Sequence, residues 1–298
     1  MTRQKISDEV WAVLEPLMPT ATGRSCPWTD HRLVMEGMAW KFRTGAPWRD
    51  VPERFGKWNS IYKRFNRWAG DGTWETLLAE VQKQADVAGK IDWVVSIGST
   101  IARVHQHGAT LPRHTGGSAE SQESAGRAAP DHAIGRSRGG LTTKVHLVAD
   151  GRGRPLGLVL TGGNTADTTM LAATLDDICV PRGGLGCPQT RPDRVLADKG
   201  YPSKANRAWL RARGAAATIP ERDDQIAHRR KKPGRPIDFG AHQEERYRGR
   251  NVVERCFNKL KQWRGIAMRS NKLARNYRAA ICLTATLIWI KTDLINTA

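Results

Sequence analysis

The sequence predicts an α/β protein, with a mixed-sheet domain over residues 91–298 preceded by an all-α domain over residues 1–85. Three observations lead there. Apolar residues recur at helical spacing in the N-terminal part, and seven of the eleven tryptophans lie in the first 74 residues, a density of anchors suited to a small helical core. Beyond Ile91 the pattern switches to short strand-like runs interleaved with helical ones. Hydrophobic residues make up 39% of the 298, enough to build packed cores.

Ser7 can cap a first helix in which Val10, Trp11, Leu14 and Leu17 share a face, closed by Pro19. A second helix begins near Asp30, turns Leu33, Val34, Met38 and Trp40 inward, and stops at Thr44-Gly45 and Pro47. A third spans about residues 59–69, with Ile61, Tyr62, Phe65 and Trp68 inside and Lys63, Arg64 and Arg67 outside. Three helices, a glycine-containing turn and a basic last helix are the parts of a helix-turn-helix that reads DNA; a generic helical domain with a solvated basic face shows the same pattern. Residues 92–97 read as a buried strand, and the polar stretch 108–140 as a flexible insertion. A hairpin follows over residues 142–148 and 156–161, around Asp150-Gly151-Arg152-Gly153. A helix at 165–177, a strand at 194–197 ending in Asp198, a helix at 204–213 and a strand at 215–219 come next. A basic loop, 228–235, leads to a helix at 251–263 and a final apolar helix.

Charge narrows the function. Forty-eight Lys and Arg face 29 Asp and Glu, a net charge of +19, and residues 221–298 alone carry a surplus of ten. A polyanion is the natural partner of such a field, and nucleic acid is the default. The N-terminus has no apolar signal core, and the longest apolar run, residues 279–290, is interrupted by Thr284 and Thr286 and falls short of the ~20 residues a membrane span needs. Five cysteines without paired CxxC spacing (Cys26, Cys179, Cys187, Cys256, Cys282) fit a reducing cytoplasm rather than structural zinc.

Two segments concentrate the chemistry. In Val195-Leu196-Ala197-Asp198-Lys199-Gly200-Tyr201 a carboxylate follows a buried strand, the position where α/β sheets hold ligands; a turn-forming Asp is the plain alternative. In the second, Arg250, Glu254 and Lys261 share one helical face with Tyr247 a turn earlier, so one acid could hold a metal while its basic neighbours hold phosphates; an ordinary ion-paired helix is the alternative. The run His228 to Arg235, including Arg229, Arg230, Lys231 and Lys232, reads as a clamp on the DNA backbone or a solvated loop. His105 and His107, at strand-face spacing, read as polar or phosphate-contacting rather than metal-binding.

The spacing Tyr247-x2-Arg250-x3-Glu254-x6-Lys261 resembles the signature of DDE transposases from bacterial insertion sequences. Trp48-Arg49-Asp50-Val51-Pro52 with Trp58 and Tyr62, Arg136 to His146, and Leu196 to Tyr201 resemble further motifs of that family, so that the likeness covers about residues 5–290. The resemblance implies a ribonuclease-H-like core in which three acids hold two divalent ions, Mg²⁺ or Mn²⁺, that clamp the attacking and leaving oxygens of a phosphoryl transfer. Asp198 and Glu254 would be the second and third acids and metal ligands, with Tyr247, Arg250 and Lys261 positioning DNA. The family's first Asp falls at Gly98, in Ile97-Gly98-Ser99-Thr100. Asp92 lies too far along the strand to substitute, Asp167 fits a supporting acidic position, and Ser99 offers only a neutral oxygen. Strand cleavage and transfer are therefore expected to be severely reduced. An insertion-sequence transposase acting as a homo-oligomer on element ends and target DNA, in the cytoplasm on the nucleoid, is the leading reading. An inactive relative that binds element ends or represses transposition is the other.

Overall fold

The computed structural model describes residues 6–20, 30–110, 132–231 and 241–294. Four helices open the chain: α1 (Asp8–Leu14), α2 (His31–Thr44), α3 (Trp58–Gly70) and α4 (Thr73–Val87). Ser7 caps α1 by accepting the Val10 N–H, and Asp30 caps α2 by accepting the Arg32 N–H at 2.7 Å. Gly45 ends α2 in the left-handed region at φ 74°, where a side chain would be strained. Phe42, Phe65, Trp68 and Trp74 are all fully buried, with Phe42 and Phe65 centroids 5.1 Å apart and Trp68 and Trp74 5.4 Å apart.

One inward and one outward assignment change. Leu33 is 39% exposed, and Met35, Ala39 and Phe42 fill the inner face of α2 instead. Arg64 is half-buried, its guanidinium over the Trp68 ring, while Lys63 and Arg67 stay exposed. The link between α2 and α3 spans residues 45–57 and holds two helical turns, Trp48–Asp50 and Glu53–Phe55.

The rest of the described chain forms a mixed seven-stranded sheet with helices around it. Its strands are β1 (Val94–Val104), β2 (Gly135–Ser137), β3 (Gly140–Ala149), β4 (Pro155–Gly162), β5 (Arg194–Leu196), β6 (Ala216–Thr218) and β7 (Met268–Arg269). The main order is β2-β3-β1-β5-β6, with β4 also on β3 and β7 also on β1. β1 runs antiparallel to β3 and parallel to β5, which is parallel to β6. The helices are α5 (Leu171–Asp176), α6 (Lys204–Ala212), α7 (Asp223–Arg230), α8 (Ala241–Arg248), α9 (Asn251–Lys261), α10 (Arg264–Ala267) and α11 (Ala274–Trp289).

The structure corrects three sequence expectations. The insertion at 108–140 ends in β2, because Gly135 and Ser137 pair with Thr142 and Gly140 despite weak strand propensity; its residues 111–131 lie outside the described ones. The loop at 228–235 is helical through Arg230, since α7 carries His228, Arg229 and Arg230; Lys231 follows it, and Lys232 lies outside the described residues. Tyr247 belongs to α8, separated from α9 by a turn at Gly249 and Arg250, so it does not extend the Glu254 helix.

The N-terminal helices and the sheet share one hydrophobic core. The Gln82 amide of α4 donates to the Pro155 and Leu156 carbonyls at 3.0 and 3.2 Å. Arg278 of α11 pairs with Glu75 of α4 at 3.3 Å and with Asp177 at 3.0 Å. Lys41 is buried, its ammonium 3.3 Å from Ser270 Oγ and 4.3 Å from the Phe42 ring centre. Among the described residues no helix is long and apolar enough to cross a membrane.

Candidate active site

β1 and β5 set the geometry. Their parallel register ends at the pair Ser96 and Leu196, and Asp198 stands two residues beyond the end of β5, while Gly98 stands two residues further along β1. α9 packs across this face of β1. A Cβ on Gly98 would meet Val253 Cγ1 at 3.1 Å and Phe257 Cε2 at 3.3 Å, so Gly98 faces the helix that carries Glu254. Asp198 after β5 and Glu254 on α9 thus both reach Arg250, and the β1 position that faces α9 carries no carboxylate.

Asp198 is held by its own turn. Its Oδ1 accepts the Gly200 N–H at 2.7 Å, and a Cβ on residue 200 would come within 2.8 Å of that same oxygen, which is why glycine stands there. The other oxygen, Oδ2, lies 3.8 Å from Arg250 Nη1, and Glu254 Oε1 lies 3.6 Å from the same nitrogen. One guanidinium therefore bridges both carboxylates. Tyr247 lies against it, with the Arg250 guanidinium 5.6 Å from the ring centre. Lys261 Nζ donates to Thr100 Oγ1 at 2.6 Å and to the Ile101 carbonyl at 3.2 Å, anchoring the far end of α9 to β1. Burial lowers the pKa of Lys261, with Glu254 opposing.

Successive strand residues point to opposite faces, so Ser99 looks away from α9. Its hydroxyl donates to Asp167 Oδ1 at 2.8 Å, and Lys144 Nζ donates to the same oxygen at 3.0 Å and to the Thr165 carbonyl at 2.6 Å. His146, opposite Ser99 in the ladder, is fully buried; its Nε2 meets Thr161 Oγ1 at 2.9 Å, and its Nδ1 is 3.8 Å from Asp167. Burial pushes its pKa down to about 4, so the ring is neutral at pH 7. Tyr201 is 1% exposed, its hydroxyl beside that of Ser99 without a well-formed hydrogen bond. Burial, then the charges of Asp167 and Asp198, push that phenol's pKa up. Asp167 is thus committed to Ser99 and Lys144, and is not turned toward Gly98.

The remaining candidates sit elsewhere. Lys63, Arg64 and Arg67 lie on α3, and Arg230 and Lys231 are exposed at the end of α7. His105 accepts the His107 N–H through its own ring, in a helical turn after β1 rather than on a strand face. Sequence reasoning does not join Lys144 and His146 to Asp167; their alternation along β3 opposite Ser99 is the available signal.

The donor chemistry is of the kind a hard divalent cation takes, because Asp198 and Glu254 supply partly exposed carboxylate oxygens on either side of Arg250. Among the described residues no group of three or more His, Cys, Asp or Glu could hold a metal.

A mixed sheet with an acid at the end of the strand beside β1 and a second on a helix packed over β1 defines a ribonuclease-H-like core. Residues 89–289 match the family described as "Transposase DDE domain", and residues 6–78 match "Putative transposase of IS4/5 family". The chain belongs to the DDE transposases of the IS4/5 insertion-sequence group. It is 36% identical over 146 residues to a "Putative transposase for insertion sequence element IS402" of Burkholderia cepacia, covering 49% of this chain and 62% of that one. It is 30% identical over 152 residues to the corresponding IS6501 protein of Brucella ovis, covering 51% of this chain and all of that one. An uncharacterized protein, y4sN, of Sinorhizobium fredii is 35% identical over 113 residues, 38% of this chain and 86% of its own. Divalent metal use is general in this family.

Proposed function

We propose that this chain binds the DNA at the ends of an insertion sequence as an oligomer, and that its capacity to cut and join strands is severely reduced by Gly98. The observation that carries the second half is the space at Gly98: it faces the Glu254 helix, the nearest atoms to a Cβ there are those of Val253 and Phe257, and glycine brings no carboxylate. Asp167 gives no substitute while Lys144 and Ser99 hold it.

Asp198 and Glu254 would hold one hard cation, Mg²⁺ or Mn²⁺, with DNA phosphate and water completing its shell. When bound, that ion supplies a Lewis acid at the scissile phosphate. Arg250 then leaves the carboxylates for a phosphate oxygen, a bidentate partner its planar fork suits. Lys261 and Tyr247 flank it on the DNA side. Lys63 and Arg67 on α3, supported by Arg64, read the element end, and Arg229, Arg230, Lys231 and Lys232 hold backbone. With one carboxylate missing, the ion is weakly held and displaced, and a displacement of about 1 Å costs about 100-fold in rate.

The test is one experiment with two readouts, on the element's own terminal duplex and on a scrambled duplex. Selective binding of the terminal duplex with cleavage at least about 100-fold below that of Gly98→Asp, the loss set by the displaced ion, supports the proposal. Equal binding of both duplexes overturns the end-binding half. Cleavage as fast as in Gly98→Asp overturns the impairment half.

A further inference from the structure

A second charged surface lies beside the Asp198 turn and plays no part in the site above. α6 begins just after that turn, capped by Ser203, which accepts the Asn206 N–H at 3.0 Å. The Asn206 amide donates to the Tyr201 and Thr168 carbonyls, both at 2.9 Å, fixing the helix to the loop that carries Asp198. Along its outer side runs an open cleft of about 230 Å³, lined by Lys204, Arg207, Arg211, Glu221 and Gln225 among others. Lys204, Arg207 and Arg211 stand three and seven residues apart, on one helical face. Lys204 and Arg211 are exposed, and Arg207 keeps one guanidinium nitrogen on the Ile219 carbonyl at 2.8 Å. Opposite them, Arg222 Nε donates to the Lys199 carbonyl at 2.9 Å, tying the far wall to the same turn. Three cations against one carboxylate make the cleft electropositive.

Its dimensions select the occupant. Seven helical residues span about 10 Å. Consecutive phosphates of one DNA strand follow at intervals shorter than this span, so the spaced cations can meet successive phosphates of one backbone. A small anion would use one of these cations and leave the others apart.

We infer that this cleft is a track for the phosphate backbone of the DNA flanking the cut, continuing the strand that reaches Asp198. The inference rests on the DNA-handling reading above and assigns that DNA a path. Removing one phosphate-neutralising cation lowers the slope of log affinity against log salt by about 0.9. The paired change Lys204→Ala with Arg211→Ala is therefore expected to reduce the slope by about 1.8. Both side chains are exposed, and matched melting curves establish that the fold survives.

The experiment measures binding by fluorescence anisotropy across a salt series, with a terminal duplex carrying flanking DNA and one that stops at the cut. The slope falls on the long duplex, not on the short one, and returns in a variant with Lys204→Arg and Arg211→Lys. An unchanged slope on the long duplex overturns the inference. An equal fall on both duplexes overturns it too, because the cleft would then follow the element side. Failure of the parent chain to bind either duplex contradicts the DNA-handling reading itself and is told apart by that result. Lys63→Ala with Arg67→Ala serves as comparator, and is expected to lower the slope on both duplexes.

Discussion

Restoring a carboxylate at position 98 should first cost stability and then return it through metal. The Cβ of Gly98→Asp lies 3.1 Å from Val253 Cγ1 and 3.3 Å from Val253 Cγ2 and Phe257 Cε2, so those side chains must give way by a few tenths of an ångström. Val253 is buried and β-branched, with little rotamer freedom to do so. Overpacking of this kind costs roughly 1–3 kcal/mol. A carboxylate placed there also loses solvation against Val253 and Phe257, which disfavours ionisation. A net loss of about 2 kcal/mol in chelator corresponds to a melting temperature lower by roughly 3 °C in a chain of this length. Cation present at about 100 times its dissociation constant returns about 2.7 kcal/mol. Thermal melts of parent and variant, in EDTA and in Mg²⁺ or Mn²⁺, read both effects. The variant should melt below the parent in EDTA and recover most of the difference with metal, while the parent responds less. Equal melting in EDTA refutes the packing argument. An equal metal response refutes the view that Gly98 stands at the missing ligand.

Two further outcomes follow from buried bases. Burial lowers the Lys41 pKa to about 8, so below that pH the folded state carries a poorly solvated charge, and stability rises between about 8 and the unfolded value of 10.5. A depression of this size is worth about 3 kcal/mol, offset by about 1–2 kcal/mol of attraction to the neighbouring aromatic rings. Lys41→Met is expected to gain about 1–2 kcal/mol in urea unfolding at pH 7, a gain that shrinks at pH 10.5; a loss at pH 7 would contradict this. His146 is depressed in the same sense, to about 4. Its stabilising neutrality is fully present above the unfolded value of 6.5 and is lost as pH falls from there toward 4. His146→Gln should remove up to about 3 kcal/mol of that acid sensitivity, seen as a flatter plot of unfolding free energy between pH 7 and 4. An unchanged slope would mean the ring is not held neutral.

The parts that local pattern can reveal are legible in the sequence. Ser7, Asp30 and Gly45 announce helix ends through their own chemistry, and Asp198 announces itself as an acid after a strand. What escapes depends on partners distant in sequence. α4 does not stand out, because its buried Gln82 looks like a surface residue until its amide meets the Pro155 and Leu156 carbonyls. β2 escapes because its glycine and serine gain strand structure only from pairing with β3. Spacing alone puts Tyr247 on the Glu254 helix, yet Gly249 turns the chain between them. At the site, Gly98 is visible as a missing acid, but not as a space filled by Val253 and Phe257. The tie of Asp167 to Lys144, from a different strand, likewise needs the fold.

The most direct measurement is single-turnover, Mg²⁺-dependent cleavage of the element's terminal duplex by the parent and by Gly98→Asp, at protein concentrations giving equal DNA occupancy. Cleavage at least about 100-fold faster in Gly98→Asp is expected, the gain that correct placement of the ion is worth. Equal rates at equal occupancy would contradict the claim that this transposase is short of one carboxylate.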